Sequence, residues 1–153
     1  MNDTPLCEPQ PRFEPRPDDP DWLIEAVRMH GHLGPWLVVG LRLGQAVLAD
    51  LGSRGFFDIH VVVTGPIQKP PPRCILDGLQ FATGATLGKG NIDVVAAERF
   101  EIRATNTTTG QEVCYGLRDE LVSTIRRVSP DAAEDLARRL ARQPFDHVAF
   151  RTS

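Results

Sequence analysis

A chain of 153 residues with 41% apolar content and a net charge of −3 suits one globular domain with one core. Acids and bases are mixed along it, with no basic block for nucleic acid and no polybasic stretch for anionic lipid. Its longest apolar stretch, from Trp36 to Leu51, is broken by Arg42, Gln45 and Asp50, which argues for a buried helix and against a membrane span.

Residues 1–18 carry Pro5, Pro9, Pro11, Pro15 and Pro17 and predict an extended arm, loosely ordered unless it docks on a partner. The domain proper is expected over 19–153. Asp19-Pro20 predicts a helix start, with Asp as the cap and Pro in the first turn, and the helix runs to about Met29. It breaks at His30-Gly31-His32. Gly34-Pro35 opens a second helix, apolar nearly all round, which ends at Leu51-Gly52. Such a helix needs more cover than one small domain provides, so a homodimer is expected. Gly40 and Gly44, four apart, leave room for another backbone. Phe57 to Thr64 predicts a strand, and Lys69-Pro70-Pro71-Pro72 a stiff extended segment that leads into a helix over about 73–83.

Ile92 to Val95 predicts a short strand. Glu98 to Thr107 alternates as a half-buried strand and turns at Thr109-Gly110 into a hairpin partner over Gln111 to Tyr115. Two amphipathic helices follow, over about 117–127 and from Ser129 to Arg142, and then a final strand over 145–150. The order of helix, strand, helix and three strands, with helices added at both ends, predicts an α+β fold. Its mixed sheet is expected to be covered mainly on one face.

The chain has three cysteines, an odd number that argues against a disulfide framework. With an acidic, proline-rich start and no apolar leader, the expected location is cytoplasmic. Cys7 lies in the arm and is read as incidental. Cys114 is read as a small buried hydrophobe. Cys74 falls in a first helical turn, where the helix dipole and unpaired N–H groups favour thiolate.

His30 and His32 flank a glycine that can turn both imidazoles toward one point. Together with Cys74 they make three protein ligands, the count of a zinc site with one open position. Zn2+ or another divalent transition metal is the expected cofactor. Asp77 lies three residues beyond Cys74 on nearly the same helix face. It is a candidate fourth ligand, an orienting partner for an imidazole, or a base toward metal-bound water. Lys89, among Gly84, Gly88 and Gly90, is a candidate contact for a small anionic ligand, and Asn91 joins it in lining the pocket. The run is not a phosphate loop: its glycine-to-lysine spacing is one residue short, and Gly90 stands where magnesium needs a hydroxyl. Asp77 and Lys89 are thus the candidate catalytic residues, and His30, His32 and Cys74 the candidate metal ligands.

His30-Gly31-His32-Leu33-Gly34-Pro35 lies upstream of two further motifs. These are Cys74-x-x-Asp77-Gly78-x-Gln80 and Thr83-Gly84-x-Thr86-x-Gly88-Lys89-Gly90-Asn91. Together they resemble the E-subunit family of formylmethanofuran dehydrogenase over roughly residues 20–125. The resemblance implies a fold similar to the C-terminal domain of glyceraldehyde-3-phosphate dehydrogenase. It also implies a metal-binding domain more firmly than any part in formylmethanofuran chemistry. Many relatives have a cysteine where this chain has Gly34, and many carry a C-terminal zinc ribbon. Here no cysteine follows Cys114. Three functions are expected, in this order: a metal-binding, enzyme-like domain, a metal-free enzyme with Cys74 as nucleophile, and a non-catalytic accessory or metal-responsive component of a larger oxidoreductase complex.

Overall fold

The structure, a computed structural model, describes residues 7–153; the first six residues of the proline-rich arm lie outside it. Helices α1 (Asp21–His30) and α2 (Pro35–Leu51) precede strand β1 (Ile59–Gly65). Helix α3 (Ile75–Thr83) follows, then strands β2 (Ile92–Ala96), β3 (Glu101–Asn106) and β4 (Glu112–Leu117). Helices α4 (Asp119–Arg127) and α5 (Pro130–Arg142) and a short strand β5 (Ala149–Arg151) complete the chain.

The five strands form one mixed sheet in the order β2-β1-β3-β4-β5, in which only β1 and β2 run parallel. A parallel pair needs a crossover, and α3 supplies it. Register places Val61 beside Ile92 and Ala104, and Val63 beside Val94 and Ile102. These side chains share the face that meets the helices. Ile59, Val61 and Val63 are fully buried, while His60, Val62 and Thr64 between them are only partly covered. The period-2 alternation thus gives a sheet covered by helices on one face, as expected for α+β.

Helix α2 runs through the middle of the core. Leu37, Val38, Val39, Leu43 and Val47 are fully buried, and its cover comes from this chain itself, chiefly α3 and α5. A second copy is not needed to hide it, which removes the reason given for a homodimer. The backbone that Gly40 admits is that of α3. A Cβ on Gly40 would lie 2.2 Å from the Ile75 carbonyl oxygen, and one on Gly78 would lie 2.2 Å from the Leu37 carbonyl oxygen. The two helices therefore meet glycine to glycine.

The proline run before α3 is not extended. The N–H groups of Arg73 and Cys74 bond back to the carbonyls of Lys69 and Pro71, which winds Pro72–Cys74 into a 3-10 turn. Asp19 is not a helix cap either: α1 begins at Asp21 after Pro20, without a side-chain cap. The Asp19 carboxylate instead takes a bidentate pair of bonds from Arg138 on α5, at 2.9 and 3.0 Å, with its side chain fully buried. This pair, 119 residues apart, docks the described part of the arm onto α5. Phe13 packs against the core, under the Arg138 guanidinium. The partner on which the arm docks is its own chain. No helix among the described residues is long and apolar enough to cross a membrane.

Candidate metal centre

Gly31 ends α1 in the left-handed region, at φ 111°, which a residue with a Cβ rarely adopts. The turn brings the rings of His30 and His32 to 4.7 Å between centroids. Cys74 closes the 3-10 turn and Asp77 sits in the first turn of α3, facing the end of α1. His30 Nδ1 donates to Asp77 Oδ2 at 2.6 Å. A carboxylate only accepts, so this bond fixes the proton on Nδ1 and leaves Nε2 as the lone-pair atom of the neutral ring. His30 Nε2 is buried and has no hydrogen-bond partner among the described residues. An unpaired buried polar atom of this kind costs about 1–3 kcal/mol.

His30, Cys74 and Asp77 line one cleft of about 320 Å3, which falls at the lower end of small-ligand sites. The cleft exists because β2 is an edge strand whose inner face α3 only half covers. Ile92, Val94 and Leu87 form its apolar wall, and Arg73 and Gln80 add polar groups. Larger hollows lie between α4 and α5, at the end of the sheet, and between the arm and α5, but none of the three is lined by a cysteine.

Burial, and secondarily His30, holds the His32 imidazole below the usual histidine range and so favours the neutral, ligating form. Cys74 departs from expectation. Burial, and then the Asp77 carboxylate, pushes its thiol up, against a smaller opposing effect of its own backbone N–H. The helix start therefore does not yield a free thiolate here, because the site is enclosed and carries a like charge.

Of the five candidate residues, the structure gathers His30, Cys74 and Asp77 at the cleft and brings His32 against His30. His32 itself does not line the cleft. Among the described residues, no three His, Cys, Asp or Glu side chains already converge as a metal-holding group. Lys89 also lies off the cleft. Its Nζ donates to the Thr86 hydroxyl at 2.8 Å and lies over the Phe57 ring. Asn91 is a structural clamp: its amide donates to the carbonyls of Phe56 and Ile59, and its oxygen accepts the Thr86 N–H. Arg73 and Gln80 line the cleft without being candidates in the sequence reading. Gln80 stands three residues beyond Asp77, a spacing that already places it on the same helix face.

A Cβ on Gly34 would lie 3.1 Å from His32 Nε2. A side chain at this position would meet the second imidazole, and glycine leaves that approach open. The donor types are ones a divalent metal takes: a buried imidazole backed by a carboxylate and a thiol on one cleft, with a second imidazole, held neutral, just off it.

Residues 29–148 match the family model described as FmdE, molybdenum formylmethanofuran dehydrogenase operon. The chain belongs to the FmdE family. The matched stretch begins at the end of α1 and closes just before β5, so it contains the histidine pair, Cys74 and the whole cleft. It leaves out the arm and most of α1. No curated protein matches the chain.

Proposed function

We propose that this FmdE domain binds a divalent transition metal, zinc foremost, through His30, His32 and Cys74. The observation that carries the reading is the orphaned, buried Nε2 of His30, a residue that lines the same cleft as Cys74, while Asp77 holds the opposite ring nitrogen. Asp77 acts as the group that orients His30, as carboxylates behind metal-bound imidazoles do. With one open position, such an ion supplies Lewis-acid activation of a bound water or carbonyl. A small anionic ligand entering the cleft meets Arg73 before Lys89. Arg73 lines the cleft and is steadied by a 2.9 Å bond from Nη1 to the Ile67 carbonyl.

A role as one component of a larger dehydrogenase complex is the second reading, favoured by the family's operon. The metal-free nucleophile ranks last, because the Cys74 thiol is held up rather than down. A fold of the kind found in the C-terminal domain of glyceraldehyde-3-phosphate dehydrogenase is part of the same proposal, and structural superposition tests it. Self-association now draws support from exposed Phe56, Phe57, Leu87, Val94 and Val95 rather than from α2. Sedimentation at micromolar concentration tests it.

The metal reading is tested by elemental analysis of protein purified without nickel resin and by zinc competition titration. His30→Ala and Cys74→Ser are expected to weaken zinc binding at least about a hundredfold, and Asp77→Asn about ten- to a hundredfold, the range for an orienting partner. Stoichiometric zinc at unchanged affinity in both ligand variants overturns the proposal.

A further inference from the structure

We propose that the N-terminal arm is a strap that positions His32 for the metal, with Asp19 and Arg138 as its anchor and the Arg12 backbone as its contact. The inference rests on the metal reading above; the arm and Asp19 lie outside the stretch matched to the family, whereas Arg138, Gly31 and His32 lie within it.

Among the described residues, the strap touches the site at one place. The Arg12 N–H donates to the Gly31 carbonyl at 2.7 Å, and Arg12 bridges His32 in parallel. The Gly31 N–H is already bonded to the Val27 carbonyl at 2.7 Å. The middle residue of His30-Gly31-His32 is thus gripped on one side by α1 and on the other by the arm. Glycine in the left-handed region has no side chain to fix its own conformation, so these two bonds set the direction in which the chain leaves toward His32.

What holds the arm in register is a buried charge pair. Arg138 Nε and Nη2 bond both Asp19 oxygens, Nη2 also reaches the Glu14 carbonyl, and Asp19 Oδ2 takes the Arg16 N–H at 2.8 Å. The exposure of the two side chains is 7% and 0%. Burying a pair this deeply adds little net stability, and its best-attested use is to select one register among several. The register selected here is the one that sets Arg12 beside His32. The flanking pairs, Arg16 with Asp135 and Arg142 with Asp18, are exposed and lack that leverage.

The test uses the full chain, zinc competition titration and the absorption spectrum of the cobalt(II)-loaded protein. Arg12→Pro removes the N–H that Gly31 accepts, and Arg12→Ala keeps it. Arg12→Pro is expected to weaken zinc binding at least about tenfold and to alter the cobalt spectrum, with Arg12→Ala matching the wild type. Arg138→Gln is expected to follow Arg12→Pro, and Arg142→Gln to follow the wild type. Arg12→Pro keeps the test independent of folding, because it leaves the Arg138 pair intact. Equal affinity and spectra for Arg12→Pro and Arg12→Ala overturn the strap alone. A wild-type chain that takes up no zinc overturns the metal reading and the strap with it.

Discussion

Gly40→Ala is expected to destabilise the protein by about 3 kcal/mol or more, toward the upper end for forcing atoms into a packed core. The added methyl would fall 2.2 Å from the Ile75 carbonyl oxygen and 2.9 Å from the Leu79 nitrogen, both backbone atoms with no rotamer to yield. Relief requires that α2 and α3 separate. Because Gly78 makes the reciprocal contact with Leu37 and Leu41, one separation opens both seams. Urea unfolding is the measurement: the midpoint falls while the slope holds. Gly88→Ala is the control, since nothing lies within 4 Å of its added Cβ. A Gly40→Ala midpoint equal to that of the control would show that the helices do not meet through their glycines. Zinc affinity is expected to fall with stability, because α3 carries Asp77 and follows directly on Cys74, and α1 carries His30.

The second large effect belongs to Asp19. Asp19→Leu is expected to cost about 3 kcal/mol, the lower end of the range for breaking a buried ion pair, because Arg138 keeps its 3.3 Å pair with the half-exposed Glu134. The double variant Asp19→Leu with Arg138→Met is expected to recover most of that loss, because an apolar pair of similar volume removes the buried guanidinium and leaves only the half-exposed Glu134 without its partner. Additive losses in the double variant would refute a direct coupling. Acid gives an independent reading. The Arg138 hydrogen bonds hold the Asp19 carboxyl below its ordinary 3.8, against the opposing effect of burial. Its folded pKa is thus below its unfolded one. Its contribution is complete above the unfolded value and is lost as pH falls from about 3.8 through the lower folded value. Asp19→Asn is expected to flatten the fall in stability over that window.

What the sequence disclosed, and what it withheld, follows from the range of each interaction. The histidine pair was legible because Gly31 acts on its immediate neighbours. Asp77 was legible as a companion of Cys74 because helical spacing sets which residues share a face. The half-buried strands and the mixed sheet followed from alternation and from turn residues. The Asp19–Arg138 pair was not legible, since it joins positions 119 apart and charge pairing at that distance leaves no periodic trace. Asp19 therefore passed for a helix cap. The cover on α2 was misjudged for a related reason: an all-round apolar helix shows that it is enclosed, but not by what. Lys89 and Asn91 illustrate a third limit. Polar side chains among glycines look the same whether they face a ligand or brace a loop, and Asn91 braces three backbone groups.

The glycine seam between α2 and α3 has a mechanical consequence for the cleft. One bank of the cleft is α3, bolted main chain to main chain onto the deepest helix of the molecule, with no compressible side-chain layer between them. The opposite bank is β2, which has a strand neighbour on one side only and shows Val94 to solvent, together with the loop that carries the nearly bare Leu87. Any widening of the cleft must come from the second bank, while Asp77 on α3 and Cys74 just before it stay put. On the proposed reading, selection by size falls to Leu87 and Val94, and selection by chemistry to the immobile side.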